Sequence, residues 1–306
     1  NGRIRIMNRI LVTGATGQIG RFLIRKLDEK KYDFAGLDIR PAEKLSGLKL
    51  FNFPLNNREE FEKYSEQLKE FDTVIHLASK INIEQDVLKS SDESLKLNVL
   101  GTLNLLEFMP NLEHVIFTST YMTYGNPKMK LIDETHPTDP NTVYGASKLA
   151  TEKFLQIFSK QKNIETTILR FMGVYGLEKP YNQAIPSFIK LISNDQKPII
   201  FGDGMSKRNH IHVDDTVNSI LCSIENKKSG IFNIGGKDSP NNLELIDMIN
   251  QKFNKDITPK FENPQNKEYS FVTDISKAKN ELKFEPKINI NEGISRTVES
   301  FLKYGW

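Results

Sequence analysis

Short apolar runs rich in β-branched residues alternate with segments of helical period through the first half of the chain. Residues 9–13 (R-I-L-V-T) form the first run, 34–39 the second, and 48–55, 73–77, 114–118 and 166–171 continue the series. Between them, 22–29, 95–108 and 147–159 repeat apolar side chains at helical spacing, which predicts helices. Strands alternating with helices predict βαβ units, and hence an α/β fold with a doubly wound parallel sheet. After about residue 174 the rhythm changes. Pro180, Pro186, Pro198, Pro240, Pro259, Pro264 and Pro286 punctuate shorter elements, and the Asn/Lys-rich stretch 263–267 predicts a solvated loop. A sheet domain is therefore expected over 1–174 and a smaller, less regular portion over 175–306. G-I-F-N-I-G-G at 230–236 predicts one more strand, so a segment around 210–236 is expected to return to the main sheet.

Composition changes this picture little. The 306 residues suffice to bury a large core, and no internal repeat or low-complexity tract is present. Net charge is +3 with the basic residues dispersed, which argues against nucleic acid as a partner but leaves an acidic small molecule open. The single cysteine, Cys222, lies in the apolar pattern V-N-S-I-L-C-S-I, so no intrachain disulfide is possible, and a reducing cytoplasm is the expected location. No apolar run approaches the length of a membrane span, so no membrane is expected, and the basic start leads into a glycine loop rather than a signal-peptide core.

That loop carries the first chemistry. The first strand runs into T-G-A-T-G-Q-I-G, and a helix follows. Gly14, Gly17 and Gly20 have mechanical reasons to be glycine: a tight turn, close approach of backbone to a pyrophosphate, and close helix–strand packing. Gln18 and Ile19 open the helix, whose N–H groups and positive dipole end would face the phosphates. Asp38 ends the second strand at the offset where a carboxylate can accept both adenosine ribose hydroxyls. It would repel a 2′-phosphate, so NAD is expected over NADP, with Arg40 close enough to soften the preference. These features predict a Rossmann dinucleotide site.

A second pattern lies downstream. Tyr144 and Lys148 stand four residues apart in Y-G-A-S-K, which on a helix sets a phenol beside an ammonium. A neighbouring positive charge favours the phenolate and turns a poor base into a usable one. Midway between loop and tyrosine, F-T-S-T-Y-M-T-Y-G places Ser119 and Thr120 at a strand end.

With T-G-x-x-G-x-x-G and Y-x-x-x-K in this order, the chain resembles the extended short-chain dehydrogenase/reductases, the NAD-dependent epimerase/dehydratase family. H-L-A-S (76–79), N-V-L-G-T (98–102), R-F-M-G-V-Y-G (170–176), R-N-H-I-H-V-D-D (208–215) and F-N-I-G-G (232–236) extend the resemblance from residue 9 to about 304. The resemblance implies that Tyr144 takes a proton from a substrate hydroxyl as hydride leaves the same carbon. It implies that Lys148 holds the nicotinamide ribose, and that Thr120, with Ser119 as the neighbouring fallback, hydrogen-bonds the reacting oxygen. Leu77, Ala78 and Ser79 would line the cofactor, with Asn98 nearby, and Arg208 would meet the substrate's phosphates. Gly173 stands where the family places a substrate-binding asparagine. The basic residue expected some ten positions before Asp274 is absent; Pro264 lies in that region, and Lys267 is a candidate substitute. Pro54-Leu55 replaces the Asp-aliphatic pair at the adenine. A homodimer built through two helices is the family's common assembly.

The resemblance also narrows the reaction. Family dehydratases follow the threonine with an acidic pair, whereas Tyr121, Met122 and Thr123 follow Thr120 here. What remains is hydride transfer at one carbinol: NAD-dependent 4-epimerisation of a nucleoside-diphosphate sugar as the first reading, and a ketoreductase or dehydrogenase of a sugar nucleotide or other small polar carbinol as the second. A non-catalytic NAD sensor or scaffold is the third. His210 and His212, followed by Asp214 and Asp215, superficially resemble metal ligands, but a structural turn is the expected reading and no metal is expected.

Overall fold

The computed structural model describes residues 9–41, 47–81, 87–176, 183–263 and 269–306. Pro180, Pro264, Lys267 and the residues up to Met7 lie outside the described residues. The strands are β1 (Arg9–Thr13), β2 (Asp33–Leu37), β3 (Leu50–Phe51), β4 (Thr73–His76), β5 (His114–Thr120), β6 (Glu165–Phe171), β7 (Val174–Tyr175), β8 (Ile199–Phe201), β9 (Ile211–His212), β10 (Gly230–Ile234) and β11 (Lys260–Glu262). The helices are α1 (Gln18–Glu29), α2 (Arg58–Lys63), α3 (Ser65–Leu68), α4 (Val87–Ser94), α5 (Gly101–Glu107), α6 (Val143–Lys162), α7 (Ala184–Ser193), α8 (Val213–Asn226), α9 (Asn242–Phe253) and α10 (Ile290–Tyr304).

A seven-stranded sheet runs in the order β10-β6-β5-β4-β1-β2-β3, with the β5–β4, β4–β1, β1–β2 and β2–β3 pairings all parallel. This is the predicted doubly wound α/β sheet, with the 230–236 run as its seventh strand. Chain order reverses between β1 and β4, and open sheets of this kind bind ligands beyond the strand carboxyl ends at such a point.

Helix α6 starts at Val143 rather than 147, and three further elements depart from the sequence reading. Helix α1 starts at Gln18 rather than 22, because glycine at 17 and 20 hides the start from any pattern of apolar positions. Strand β3 shrinks from 48–55 to Leu50–Phe51: after Phe51 the Asn52 side chain donates to the Asp38 carbonyl (2.8 Å), and Pro54 has no N–H to offer a ladder. The predicted helix 95–108 is interrupted, with a π-helical turn at Leu95–Leu100 before α5.

The chain forms two compact units, and it passes between them repeatedly. The first takes Asn1–Gly125, Thr138–Arg170 and Ile220–Phe232. Its core includes fully buried Leu11, Phe61, Phe71 and Val74, where strand alternation and helix period turn the same faces inward. The second takes Asn126–Pro137, Phe171–Ser219 and Asn233–Trp306. It contains the short parallel pairs β7–β9 and β8–β11, and a core in which Ile189, Ile246 and Ile294 of α7, α9 and α10 meet. Each such isoleucine contributes roughly 1.5–3 kcal/mol by burial.

Candidate active site

The glycine loop leaves β1 through Gly14, whose φ of +72° is open to glycine and strained for other residues. A Cβ there would also stand 2.8 Å from Ala78 N. A Cβ on Gly20 would lie 2.2 Å from the Gly14 carbonyl oxygen, and one on Gly17 would lie 2.9 Å from it. Three backbone segments therefore meet without side chains between them, which is the cradle a pyrophosphate needs. Helix α1 begins with Gln18 and Ile19, both half-buried; no side chain caps its N-terminus and its first turn holds no acidic residue. Its terminal dipole is thus left uncompensated by any carboxylate of its own first turn.

Asp38 is buried just beyond β2. Its Oδ2 accepts from Thr16 N–H (3.0 Å) and its Oδ1 from Arg40 N–H (3.1 Å). Two backbone donors fix the carboxylate while leaving lone pairs for a diol. The Arg40 guanidinium stands 3.6 Å from Oδ1, so it already faces this carboxylate.

Beyond β4, Leu77 and Ala78 are half-buried and Ser79 is exposed. A directed hydrogen-bond chain holds this segment. Thr102 donates its proton to the Asn98 carbonyl (2.7 Å), so at the imidazole it can only accept, and His76 Nε2–H donates to it (2.8 Å). His76 Nδ1 then accepts the Thr13 hydroxyl proton (2.6 Å), and Thr13 Oγ1 accepts from Ala78 N–H (3.2 Å). Burial, helped by the Lys148 charge, pulls the His76 pKa down to about 3, so the ring is neutral, as this chain requires.

Asn98 lies in the π-helical turn, and its side chain is engaged within the protein. Its Oδ1 accepts from Lys80 N–H (2.8 Å) and the Ser79 hydroxyl (3.2 Å). Its Nδ2 donates to Lys80 O (3.0 Å) and Ser147 Oγ (2.9 Å). All of the amide's hydrogen-bonding positions are thus filled within the protein. Asn98 ties the segment after β4 to α6, and Ser147 passes the connection to the Tyr144 carbonyl (2.8 Å).

Tyr144 and Lys148 do lie on one buried face of α6. Lys148 Nζ stands 4.4 Å over the Phe117 ring and 6.0 Å from the Tyr144 ring centroid. It makes no hydrogen bond to any described residue although the side chain is only 2 % exposed. Burial lowers the Lys148 pKa to about 7, against the Glu152 charge, which raises it. A nearly buried ammonium without hydrogen-bond partners among the described residues suits ribose hydroxyls, and the cradle and Asp38 have the chemistry to hold the rest of a dinucleotide.

Thr120 ends β5 with its Oγ accepting from Met122 N–H (3.3 Å), so the hydroxyl proton remains a donor. Ser119 is committed elsewhere, donating to Glu152 Oε1 (2.5 Å). A Cβ on Gly145 would reach 2.6 Å from the Met122 carbonyl, so the start of α6 abuts the turn that follows Thr120. His76, Gly145, Ser147, Glu152 and Arg170 were not singled out by the sequence reading as site residues. His76, Gly145, Ser147 and Arg170 lie within the quoted motifs, whereas no motif contains Glu152, which stands one helical turn after Lys148.

Gly173 and Arg208 belong to the second unit. The Gly173 carbonyl accepts from Ile211 N–H (3.1 Å), and a Cβ at 173 would stand 2.9 Å from His210 Nδ1. His210 thus fills the space beside the position where the family's asparagine is expected. The Arg208 guanidinium lies 5.8 Å over the Phe271 ring. Among the described residues no group of His, Cys, Asp or Glu could hold a metal ion, and no helix is long and apolar enough to cross a membrane. His212 Nδ1 accepts from Asp214 N–H (3.2 Å), and Asp215 receives the Lys287 and Ile288 N–H groups.

Known proteins share both sequence and fold with this chain. A protein provisionally named UDP-glucose 4-epimerase from Methanocaldococcus jannaschii is 34% identical, over 94% of this chain and 97% of its own length. The Escherichia coli dTDP-4-dehydro-6-deoxyglucose reductase is 31% identical over 96% and 97%. The structure of UDP-glucose 4-epimerase from Thermotoga maritima with UDP-glucose superimposes with a TM-score of 0.88 at 29% identity, covering 96% of this chain and 99% of that one. Residues 10–235 match the NAD dependent epimerase/dehydratase family. With the glycine cradle, Asp38 and the Tyr144–Lys148 pair in place, the chain belongs to the NAD dependent epimerase/dehydratase family and is an enzyme whose cofactor is NAD.

Proposed function

We propose that the protein is a 4-epimerase of nucleoside-diphosphate hexoses, working by reversible hydride transfer. The supporting observation is the acid–base inventory around Thr120. Tyr144 and Lys148 share a face of α6, the turn Tyr121–Tyr124 carries no carboxylate, and Glu152 is engaged by Ser119 and Arg170. Removing water from a sugar needs an additional acid and base, whereas oxidising one carbinol needs one proton acceptor. Bound NAD would supply the hydride acceptor and, once reduced, the hydride donor. Tyr144 takes the hydroxyl proton and gives it back, Lys148 keeps positive charge beside the phenol, and Thr120 donates a hydrogen bond to the reacting oxygen. Gly14, Gly17, Gln18, Ile19 and Gly20 receive the pyrophosphate, and Asp38 the adenosine ribose. Arg208 meets the diphosphate, for which its guanidinium fork is suited.

The test is to incubate the protein as purified with UDP-galactose, without added cofactor. Conversion to UDP-glucose, with NAD released on denaturation, is the expected result. No epimer from UDP-galactose, with stoichiometric oxidation of NADH when a 4-keto sugar nucleotide is supplied as the hydride acceptor, would instead establish the reductase reading, which the E. coli relative favours.

A homodimer is part of this reading. Val87 and Leu88 of α4, Leu95 and Leu100 of the π-helical turn, and Phe154 and Ile157 of α6 are exposed, and α4 and the turn both pack on α6. Such a concentration of apolar surface on two packed helices suits a second copy. Sedimentation at micromolar concentration should give twice the chain mass, and Phe154→Glu should give the single chain mass. A wild-type protein that sediments as one chain would exclude the dimer.

A further inference from the structure

We propose that Glu152, gripped between Ser119 and Arg170, is the positioning residue of the hydride-transfer site. It locks the end of β5, which carries Thr120, to the face of α6 that carries Tyr144 and Lys148. The proposal rests on the reading of Tyr144 and Lys148 as the proton-transfer pair.

The geometry is specific. Glu152 Oε1 accepts from Ser119 Oγ (2.5 Å) and Arg170 Nε (3.0 Å), while Oε2 accepts from Arg170 Nη2 (2.6 Å). Glu152 is fully buried and Arg170 nearly so. The Arg170 guanidinium also lies 4.6 Å over the ring of Tyr124, the last residue of the turn that begins after Thr120. Thr120 is therefore bracketed, with Ser119 on one side tied to the carboxylate and Tyr124 on the other resting on the carboxylate's partner. On α6, Glu152 follows Lys148 by one turn and Tyr144 by two, so one rigid helix carries the clamp and the chemistry.

Fold stability alone is a weak reason for such a pair. Taking both charges out of water offsets much of their attraction, and apolar residues of similar volume commonly do as well. What the ion pair adds is direction: three charge-assisted bonds fix a strand end against a helix face within the tolerance that proton transfer demands. The carboxylate has a second effect. Burial lowers the Lys148 pKa to about 7, and the Glu152 charge acts against that fall. The groups facing Lys148 are His76 from β4, which stays neutral, Tyr144 and Glu152 from α6, and Phe117 from β5, with Arg170 of β6 across the carboxylate. Removing the Glu152 charge lowers the Lys148 pKa further, so the ammonium is lost at lower pH and the alkaline limb of the rate profile moves down.

The experiment uses the NAD-bound protein and UDP-glucose as probe, following reduction of bound NAD in a single turnover alongside kcat, KM and Tm. Ser119→Ala leaves the ion pair whole. It should fold, retain NAD and keep KM, with hydride transfer slowed on the order of 10-fold. In the double variant Glu152→Gln/Arg170→Met both charges leave together, so no buried charge is stranded. It should fold, transfer hydride on the order of 100-fold more slowly, and show the alkaline limb at lower pH. A folded double variant with wild-type rate and pH profile would overturn the proposal, as would wild-type hydride transfer in Ser119→Ala; should the double variant fail to fold, Ser119→Ala decides. No NAD reduction by the wild-type protein with UDP-glucose or UDP-galactose would instead bring down the underlying reading of the site.

Discussion

Tyr144→Phe should retain NAD and lose hydride transfer. The substitution removes one oxygen from a residue 8 % exposed and leaves the ring in place, so packing on α6 survives. The cofactor contacts assigned to Gly14, Gly17, Gly20, Asp38 and Lys148 are untouched. Among the residues around the proposed carbinol, Thr120 can donate a hydrogen bond but is a poor base, and Lys148 acts as a base only when it has given up the charge that assists the phenol. No other group replaces the phenolate. Losing a positioned general base costs about 10²–10⁴ in rate, and the upper end applies where nothing substitutes. Mass spectrometry of bound NAD and single-turnover reduction of the nicotinamide check the two halves separately. Substantial turnover in the variant would remove Tyr144 from its assigned role.

Gly20→Ala should empty the protein of NAD. Local propensity argues the other way, since alanine inside α1 gains roughly 1 kcal/mol over glycine. Sterics decide the sign. The new Cβ would stand 2.2 Å from the Gly14 carbonyl oxygen and 2.6 Å from that of Ala15, and both are backbone atoms that can yield only if the whole loop moves. Overpacking of this kind costs about 1–3 kcal/mol in stability. The larger effect falls on the cradle, because moving Gly14 also disturbs its close approach to Ala78. A lower Tm with loss of co-purifying NAD is the expected outcome. Wild-type NAD content would show that the loop does not hold the cofactor.

Much of this site was legible in the sequence, for reasons that differ between residues. The glycine loop and Asp38 announce themselves because a backbone cradle and a ribose-facing carboxylate need few residue types at fixed local spacing. Tyr144 and Lys148 announce themselves because helical geometry turns a spacing of four into adjacency. Asn98 is legible as a residue near the site, but its bonds within the protein are not. The side chain works through Lys80, Ser79 and Ser147, and the π-helical turn around it answers to those tertiary bonds rather than to apolar periodicity. Glu152 escaped because a glutamate in a helix usually faces water, and its partner Arg170 lies on a different element. Strand β3 was drawn too long because the pattern of apolar residues does not show where Asn52 takes over from the ladder. The passage of 126–137 into the second unit has no signature in composition at all.

The fit between Gly173 and His210 couples the two positions. With 2.9 Å between a would-be Cβ and the imidazole, any side chain at 173 obliges the His210 ring to turn away from where it now stands. Enlarging position 173 therefore also reorients the histidine ring.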